Sequence, residues 1–93
     1  MTLEELRGVV DGVLRTQLDK IGYESSDVAE AFDHDGDPIL QVTIHYRKIG
    51  QAVDPTPTFS LARHLRAALR DRGETRFPHF THLFPEDQEL KVA

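Results

Sequence analysis

Three groups of residues in this 93-residue chain carry side chains that could do chemistry. The segment DHDGDP, residues 33–38, places three aspartates at alternating positions around a glycine. Near the end of the chain stands a histidine pair, His79 and His82. The third group consists of arginines three and four residues apart, namely Arg63, Arg66 and Arg70. Carboxylates and imidazoles are metal ligands, whereas guanidinium groups bind carboxylate or phosphate, so each group predicts a different kind of site.

The aspartate segment does not fit a calcium-binding EF-hand loop. Such a loop needs glycine at its sixth position and a bidentate glutamate at its twelfth. Counted from Asp33, these positions hold Pro38 and Ile44. Aspartate next to glycine is typical of tight turns, so DHDGDP predicts the turn of a β-hairpin. A weaker calcium site at this turn is the alternative.

His79 and His82 are the best metal-ligand candidates of the sequence. The chain has five histidines and no cysteine, so any zinc ligands would be imidazoles and carboxylates. Residues three apart on a strand point to opposite faces, however, and Pro78 and the aromatic alternation around it favour a strand. The alternative is a pair of histidines on a half-buried edge strand.

Arg63, Arg66 and Arg70 fall on one face of a predicted helix. Together they are the candidate site for an acidic or phosphate-bearing partner, because guanidinium groups bind both kinds of anion in a bidentate manner. The alternative is a solvated face that forms salt bridges with Asp71, Glu74 or the acidic hairpin.

No motif of the sequence selects an enzyme mechanism. The chain lacks the GxxxxGK[ST], GxGxxG and GxSxG patterns, and without cysteine it has no thiolate nucleophile. Ser25, Ser26, Ser60 and His64 stand at no spacing that predicts a nucleophile with its base. We therefore expect no cofactor and no catalytic residue. A small metal- or anion-dependent enzyme is kept as an alternative function.

Charge divides the chain into an acidic and a basic part. The net charge is −5, yet residues 24–37 hold six acids and no lysine or arginine, and residues 58–76 hold five arginines against two acids. An acidic protein is a poor general binder of nucleic acid, and the GxxG loop of the RNA-binding KH fold is missing. A weak nucleic-acid-binding module is therefore only an alternative.

The order of predicted elements is helix, strand, strand, helix, strand. Thr2 and Glu5 form a capping box ahead of an apolar pattern at helical spacing, and Gly22 is a natural stop. A loop with two prolines precedes the second helix, which Thr56 or Thr58 would cap and Gly73 would end. The predicted strands span residues 28–34, 37–47 and 76–85. The apolar pattern of the first helix runs from Leu3 to Ile21, and the second helix lies between its threonine cap and Gly73.

These elements predict a single α+β domain over residues 1–93, with residues 85–93 as a frayed tail or a short helical turn. We expect a three-stranded, mainly antiparallel sheet with both helices on one face. The order of the strands stays open, with the third strand beside the first as one arrangement. A two-residue turn at Asp35-Gly36 would set His34 opposite Asp37, which turns Ala29 and Ala31 toward the helices.

The sequence gives no sign of a membrane protein, because no apolar run approaches the ~20 residues needed to span a bilayer. Met1–Glu5 has no signal-peptide character, and we expect a cytoplasmic protein. A domain of this size has a modest core, and pairing would add buried surface, so a homodimer is expected. The favoured function is a small non-enzymatic interaction module that self-associates and docks an acidic or phosphate-bearing partner through its arginine-bearing helix.

Overall fold

The structure is a computed structural model that describes residues 1–91. It confirms the predicted small α+β domain and the element order α-β-β-α-β. A helix-sheet core is built from elements with the following bounds: α1 (Leu3–Leu18), β1 (Tyr23–Phe32), β2 (Pro38–Tyr46), α2 (Leu61–Arg70) and β3 (Phe77–Leu83), with single 3-10 turns at Asp19–Ile21 and Thr56–Thr58.

Helix α1 begins where its capping signal predicts, and it ends at Leu18, one 3-10 turn before the predicted stop at Gly22. The Thr2 hydroxyl accepts a hydrogen bond from the Glu5 amide at 3.1 Å, which satisfies one of the free amides of the first turn. The helix passes into the 3-10 turn, and Gly22 then takes a left-handed conformation at φ +95°. The buried face of α1 consists of Leu6, Val10, Leu14 and Leu18.

The sheet is mixed, with β2 in the middle. Strand β1 pairs with β2 in the antiparallel direction, and β3 pairs with β2 in the parallel direction. The third strand thus lies beside the second and not beside the first, which settles the strand order that the sequence left open. Helix α2 connects β2 to β3 and returns the chain so that β3 runs the same way as β2, as parallel neighbours require. The two edges of the sheet are β1 and β3.

The hairpin register differs by one residue from the prediction. The loop has three residues, 34–36, rather than two: the Asp33 amide donates to the Asp37 carbonyl at 2.9 Å, and Gly36 lies at φ +87°. Three-residue loops with a left-handed glycine are a common alternative to the two-residue turn. Ala31 consequently pairs with Ile39 instead of Leu40. A one-residue slip exchanges the two faces of a strand, so the alanines of β1 lie on the face away from the helices.

The hairpin is also longer than its sequence pattern indicated. Strand β1 begins at Tyr23, five residues before the predicted start at Val28. The intervening residues are polar and show no alternation, but they pair with the end of β2, from Tyr23 opposite Tyr46 onward, with one irregularity between Tyr23 and Ser25. The ladder to β2 therefore extends a strand that local sequence did not predict.

The start of α2 also differs from the prediction. Thr56 and Thr58 do not cap the helix but lie in a separate 3-10 turn with Pro57. The Thr58 hydroxyl donates to the Pro55 carbonyl at 2.7 Å, and the Thr56 amide donates to Asp54 at 2.9 Å. These bonds hold both threonines within the turn, and α2 starts three residues later at Leu61.

One face of the sheet is covered and the other is open. The covered face carries Leu40, Val42 and Ile44, which pack against the buried leucines of both helices. On β3 the predicted alternation is confirmed, because Pro78 and Phe80 turn toward this core and Thr81 is exposed. Among residues 1–91, no helix has the length and apolar character needed to cross a bilayer.

The segment after β3 packs against the loop that follows β2. A turn closes where the Gln88 amide donates to the Pro85 carbonyl at 3.0 Å. Val53 then forms a parallel bridge with Leu90 through bonds to Glu89 and Lys91 of 3.1 and 2.8 Å. Residues 85–91, predicted as a frayed tail or a helical turn, thus contain one turn and one bridge, while residues 92–93 lie outside the described part.

Gly22 and Gly12 allow one substitution to be tested in two contexts. Gly22→Ala is expected to lower the free energy of unfolding by about 2 kcal/mol, because a side chain is strained at positive φ and would clash with a backbone oxygen. Its Cβ would lie 2.8 Å from the Arg47 carbonyl oxygen. Gly12→Ala, with nothing within 4 Å of the new Cβ, is the matched control. It should raise the free energy by up to ~1 kcal/mol. Urea unfolding measures both, and equal effects would contradict this account.

Candidate functional site

Helix α2 places the three predicted arginines on one surface. Its buried face consists of Leu61, Leu65 and Leu69, four residues apart, which anchor the helix on the core. Arg63, Arg66 and Arg70 lie on the opposite side; Arg63 and Arg70 are exposed and Arg66 is half-buried. We call these three residues the arginine stripe. The structure therefore brings together the residues that the sequence singled out for anion or partner binding.

The charges of the arginine stripe are not neutralised by the acids proposed as its salt-bridge partners. In residues 1–91, the ion pairs are formed by other cations, such as Arg15 and Arg76. Arg66 instead places its guanidinium 4.5 Å from the centre of the Phe77 ring at the start of β3. This cation–π contact orders one side chain of the stripe and leaves its charge available.

Arg76 takes up the acids that lie nearest to the basic part of the chain. Its guanidinium donates to Glu74 at 2.9 and 3.0 Å and to Glu30 of β1 at 2.6 Å. These charged hydrogen bonds lower the pKa of Glu74 to about 2 and raise the pKa of Arg76. The fifth arginine of the basic segment thus ties the sheet edge to the α2–β3 connection. Because Glu74 and Glu30 are bound to Arg76, they form no ion pair with the arginine stripe within residues 1–91.

A shallow hollow of about 340 Å³ lies beside the first arginine of the stripe. It is lined by Thr56, Phe59, Ser60 and Arg63. The Phe59 ring is 76% exposed, although it is large and apolar. Sequence analysis missed Phe59, whose only signal is that it is an isolated aromatic residue between threonine and serine ahead of an amphipathic helix. The hollow joins an apolar surface to a cation.

His79 and His82 point to opposite faces of β3, as their spacing predicts. His79 is exposed on the open face, whereas His82 is half-buried on the helix side. His82 Nδ1 and the Tyr46 hydroxyl share a hydrogen bond of 2.8 Å. Burial lowers the pKa of His82 from its usual 6.5. The two candidates do not meet, and the described residues contain no group of three or more histidines and acids placed to hold a metal ion.

The turn of the hairpin uses one of its aspartates for backbone hydrogen bonds. Asp33 Oδ1 accepts from the amides of Asp35 and Asp37 at 3.0 and 2.9 Å. The other two carboxylates are exposed at the hairpin tip. The segment DHDGDP therefore forms the predicted turn, with two exposed carboxylates at its tip.

The environment of Tyr23 is a polar cluster that sequence analysis missed. The Tyr23 hydroxyl donates to Asp11 at 2.6 Å, and Arg15 binds the same carboxylate at 3.1 Å. Burial, followed by the bond to Asp11, raises the pKa of Tyr23 to about 12. A phenol with a raised pKa holds its proton and is a poor nucleophile or base at neutral pH. The cluster fastens α1 to β1 and offers no activated group.

A second hollow, of about 280 Å³, marks the seam where the last described residues pack against the loop after β2. Lys48 and Asp87 form an ion pair across it. The Gln88 side chain accepts a hydrogen bond from the Ile49 amide at 2.6 Å and donates to the Gln51 carbonyl at 2.9 Å. These polar groups form an ion pair and hydrogen bonds with one another, so this hollow is a seam between two packed segments.

Comparison of the chain with protein-family models, curated proteins and solved structures found no match.

The half-buried His82 predicts a pH dependence of stability. Since the pKa of His82 is lower in the folded state than its usual 6.5, the unfolded chain binds a proton at higher pH than the folded protein does. This contribution to stability is present above pH 6.5 and is lost as the pH falls through the folded pKa.

The His82→Gln variant removes the titration and keeps a hydrogen-bonding group for Tyr46. We expect it to lose less stability than the wild type when urea unfolding is compared between about pH 7.5 and pH 5. His79→Gln, at an exposed position, is the control and should behave like the wild type. Equal slopes for all three proteins would contradict the assignment.

Glu74 predicts a second, more acidic transition. Its pKa of about 2 lies below the usual 4.5, so its contribution is present above pH 4.5 and is lost as the pH falls toward 2. The Glu74 side chain is 9% exposed. We expect Glu74→Gln to lower the free energy of unfolding by about 1–3 kcal/mol at pH 7, as for loss of charged hydrogen bonds. Glu86→Gln, at an exposed position, is the control. A loss that is the same at pH 7 and pH 3 would rule out the ionic contribution.

Proposed function

We propose that this protein is a small non-enzymatic interaction module that self-associates and docks an acidic protein surface through the arginine stripe. The observation that carries the proposal is the set of cations on one exposed helix face of an otherwise acidic chain, without salt bridges in residues 1–91. Positive and negative surfaces that match steer two proteins together and fix their orientation.

The order already present in the stripe supports binding. Long side chains lose rotamer freedom when a partner immobilises them, and that loss opposes association. Arg66 is held over the Phe77 ring before any partner arrives, so less freedom remains to be lost. Arginine and aromatic residues are also enriched among the residues that dominate binding energy.

The hollow next to Arg63 favours a protein partner over a bare phosphate or a nucleic-acid backbone. Phosphate offers charge alone, whereas an acidic protein surface also offers apolar side chains that can cover Phe59. The net charge of −5 would repel a nucleic acid over the remaining surface. A protein with carboxylates placed beside an apolar side chain is therefore the partner that the surface fits best.

A charge-reversal pair tests the docking surface. The variant Arg63→Glu/Arg70→Glu removes the two exposed cations of the stripe and leaves Arg66 on Phe77. Arg7→Glu/Lys20→Glu makes the same change of net charge at exposed positions on and just after α1. Binding of a fluorescent poly-glutamate peptide is measured by anisotropy at about 0.05 M and 0.5 M salt, with a single-stranded RNA as a second probe.

We expect the wild type and the α1 control to bind poly-glutamate alike, and the stripe variant to bind at least about tenfold more weakly. Binding should weaken at the higher salt concentration. Equal losses in both variants would show that net charge alone matters and would overturn the stripe as the site. Absence of wild-type binding, or stronger binding of RNA than of poly-glutamate, would contradict an acidic protein partner. Circular dichroism confirms that each variant is folded.

A further inference from the structure

Strand β3 is an open sheet edge without a charged side chain. Its sequence, FPHFTHL, contains no lysine, arginine, aspartate or glutamate over residues 77–83. The other edge, β1, carries Glu24, Asp27 and Glu30. Natural proteins use charged side chains, prolines or bulges to prevent a sheet edge from pairing with another strand. On β3 the one such device is Pro78, at the second position of the strand, so the residues after it remain able to pair.

The apolar side chains of β3 match one another when the strand is turned around. Phe77 and Leu83, at its two ends, lie on the open face and are 43% and 46% exposed. In an antiparallel pair of two β3 strands related by a twofold axis through Phe80, each Phe77 stands opposite Leu83 of the second copy. His79 then stands opposite Thr81. Aromatic–aliphatic pairs across antiparallel strands stabilise a sheet, and this register makes two of them.

We propose that a second copy of this chain pairs with β3 in this register and extends the sheet from three strands to six. This inference rests on the self-association in the proposed function and specifies its surface. Twofold pairing uses the same surface of both subunits, as expected of a homodimer. It satisfies the outward-facing backbone groups of β3 and covers Phe77 and Leu83.

The distribution of charge favours β3 over β1 as the dimer edge. Each copy has a net charge of −5, so two copies repel unless they meet where local negative charge is low. Twofold pairing of β1 would bring its glutamates and Asp27 near their own counterparts, and like charges across neighbouring strands are destabilising. The arginine stripe lies close to β3 through the contact of Arg66 with Phe77. A dimer through β3 therefore presents two stripes for a partner.

Lysine substitutions at exposed apolar positions of the two edges test the pairing. Leu83→Lys removes both cross-strand pairs of the dimer and brings each new cation near Arg66 of the other copy. We expect its dimer dissociation constant to rise about tenfold or more. Phe32→Lys, on β1 at a side chain that is 74% exposed, makes the same change of charge and is the control. Light scattering over a range of protein concentrations gives the mass.

A compensating variant tests the register. Phe77→Glu/Leu83→Lys replaces each apolar pair by an ion pair in the proposed register only, and it should restore dimerisation relative to Leu83→Lys. A monomeric wild type, an unchanged Leu83→Lys dimer, or a dimer disrupted by Phe32→Lys instead would each overturn the proposal. Poly-glutamate binding, measured separately, distinguishes the two ideas: a monomer that still binds the peptide refutes the edge alone, and a dimer that does not bind refutes the docking surface alone.

Discussion

The burial of one face of β2 is the constraint on which the rest of the fold depends. Leu40, Val42 and Ile44 have no exposed surface, and both neighbouring strands and both helices pack around them. Because β2 is the central strand, its alternation decides which side of the sheet the helices cover. The register of the hairpin follows from it and from the three-residue loop at residues 34–36, which together bring Val28 of β1 onto the covered face.

The distribution of ion pairs decides which charges remain for binding. Arg76 engages Glu30 and Glu74, and in doing so it ties β1 to the connection between α2 and β3. On α2, Arg66 contacts the Phe77 ring, and none of the three arginines of the stripe forms an ion pair in residues 1–91. One short basic segment therefore holds both an arginine engaged in ion pairs and three arginines that form none in residues 1–91. Arg76 lies next to the sheet, where it pairs with Glu30 of β1, whereas the stripe lies on the face of α2 opposite its buried leucines.

A sheet covered on one side has two properties that bear on assembly. Its open face and its two edges, β1 and β3, have no further helix or strand against them in residues 1–91. The two edges are unequal, since β1 carries acids and β3 carries none. Such inequality gives a small domain one edge that resists pairing and another that permits it. The proposed self-association and the proposed docking therefore use different surfaces, which adjoin where Arg66 of α2 contacts Phe77.

The sequence by itself determined the presence of both helices, the place of a hairpin turn at DHDGDP, the opposed histidines of β3 and the single helical face of the arginine stripe. These features depend on local periodicity, capping and turn chemistry, which are encoded within a few residues. Only the tertiary structure decided the start of β1 at Tyr23, the place of β3 beside β2, and the pairing of Arg76 with Glu30. Polar residues become a strand only when a neighbouring strand supplies their hydrogen bonds, and an ion pair between residues 46 positions apart depends on how the elements pack.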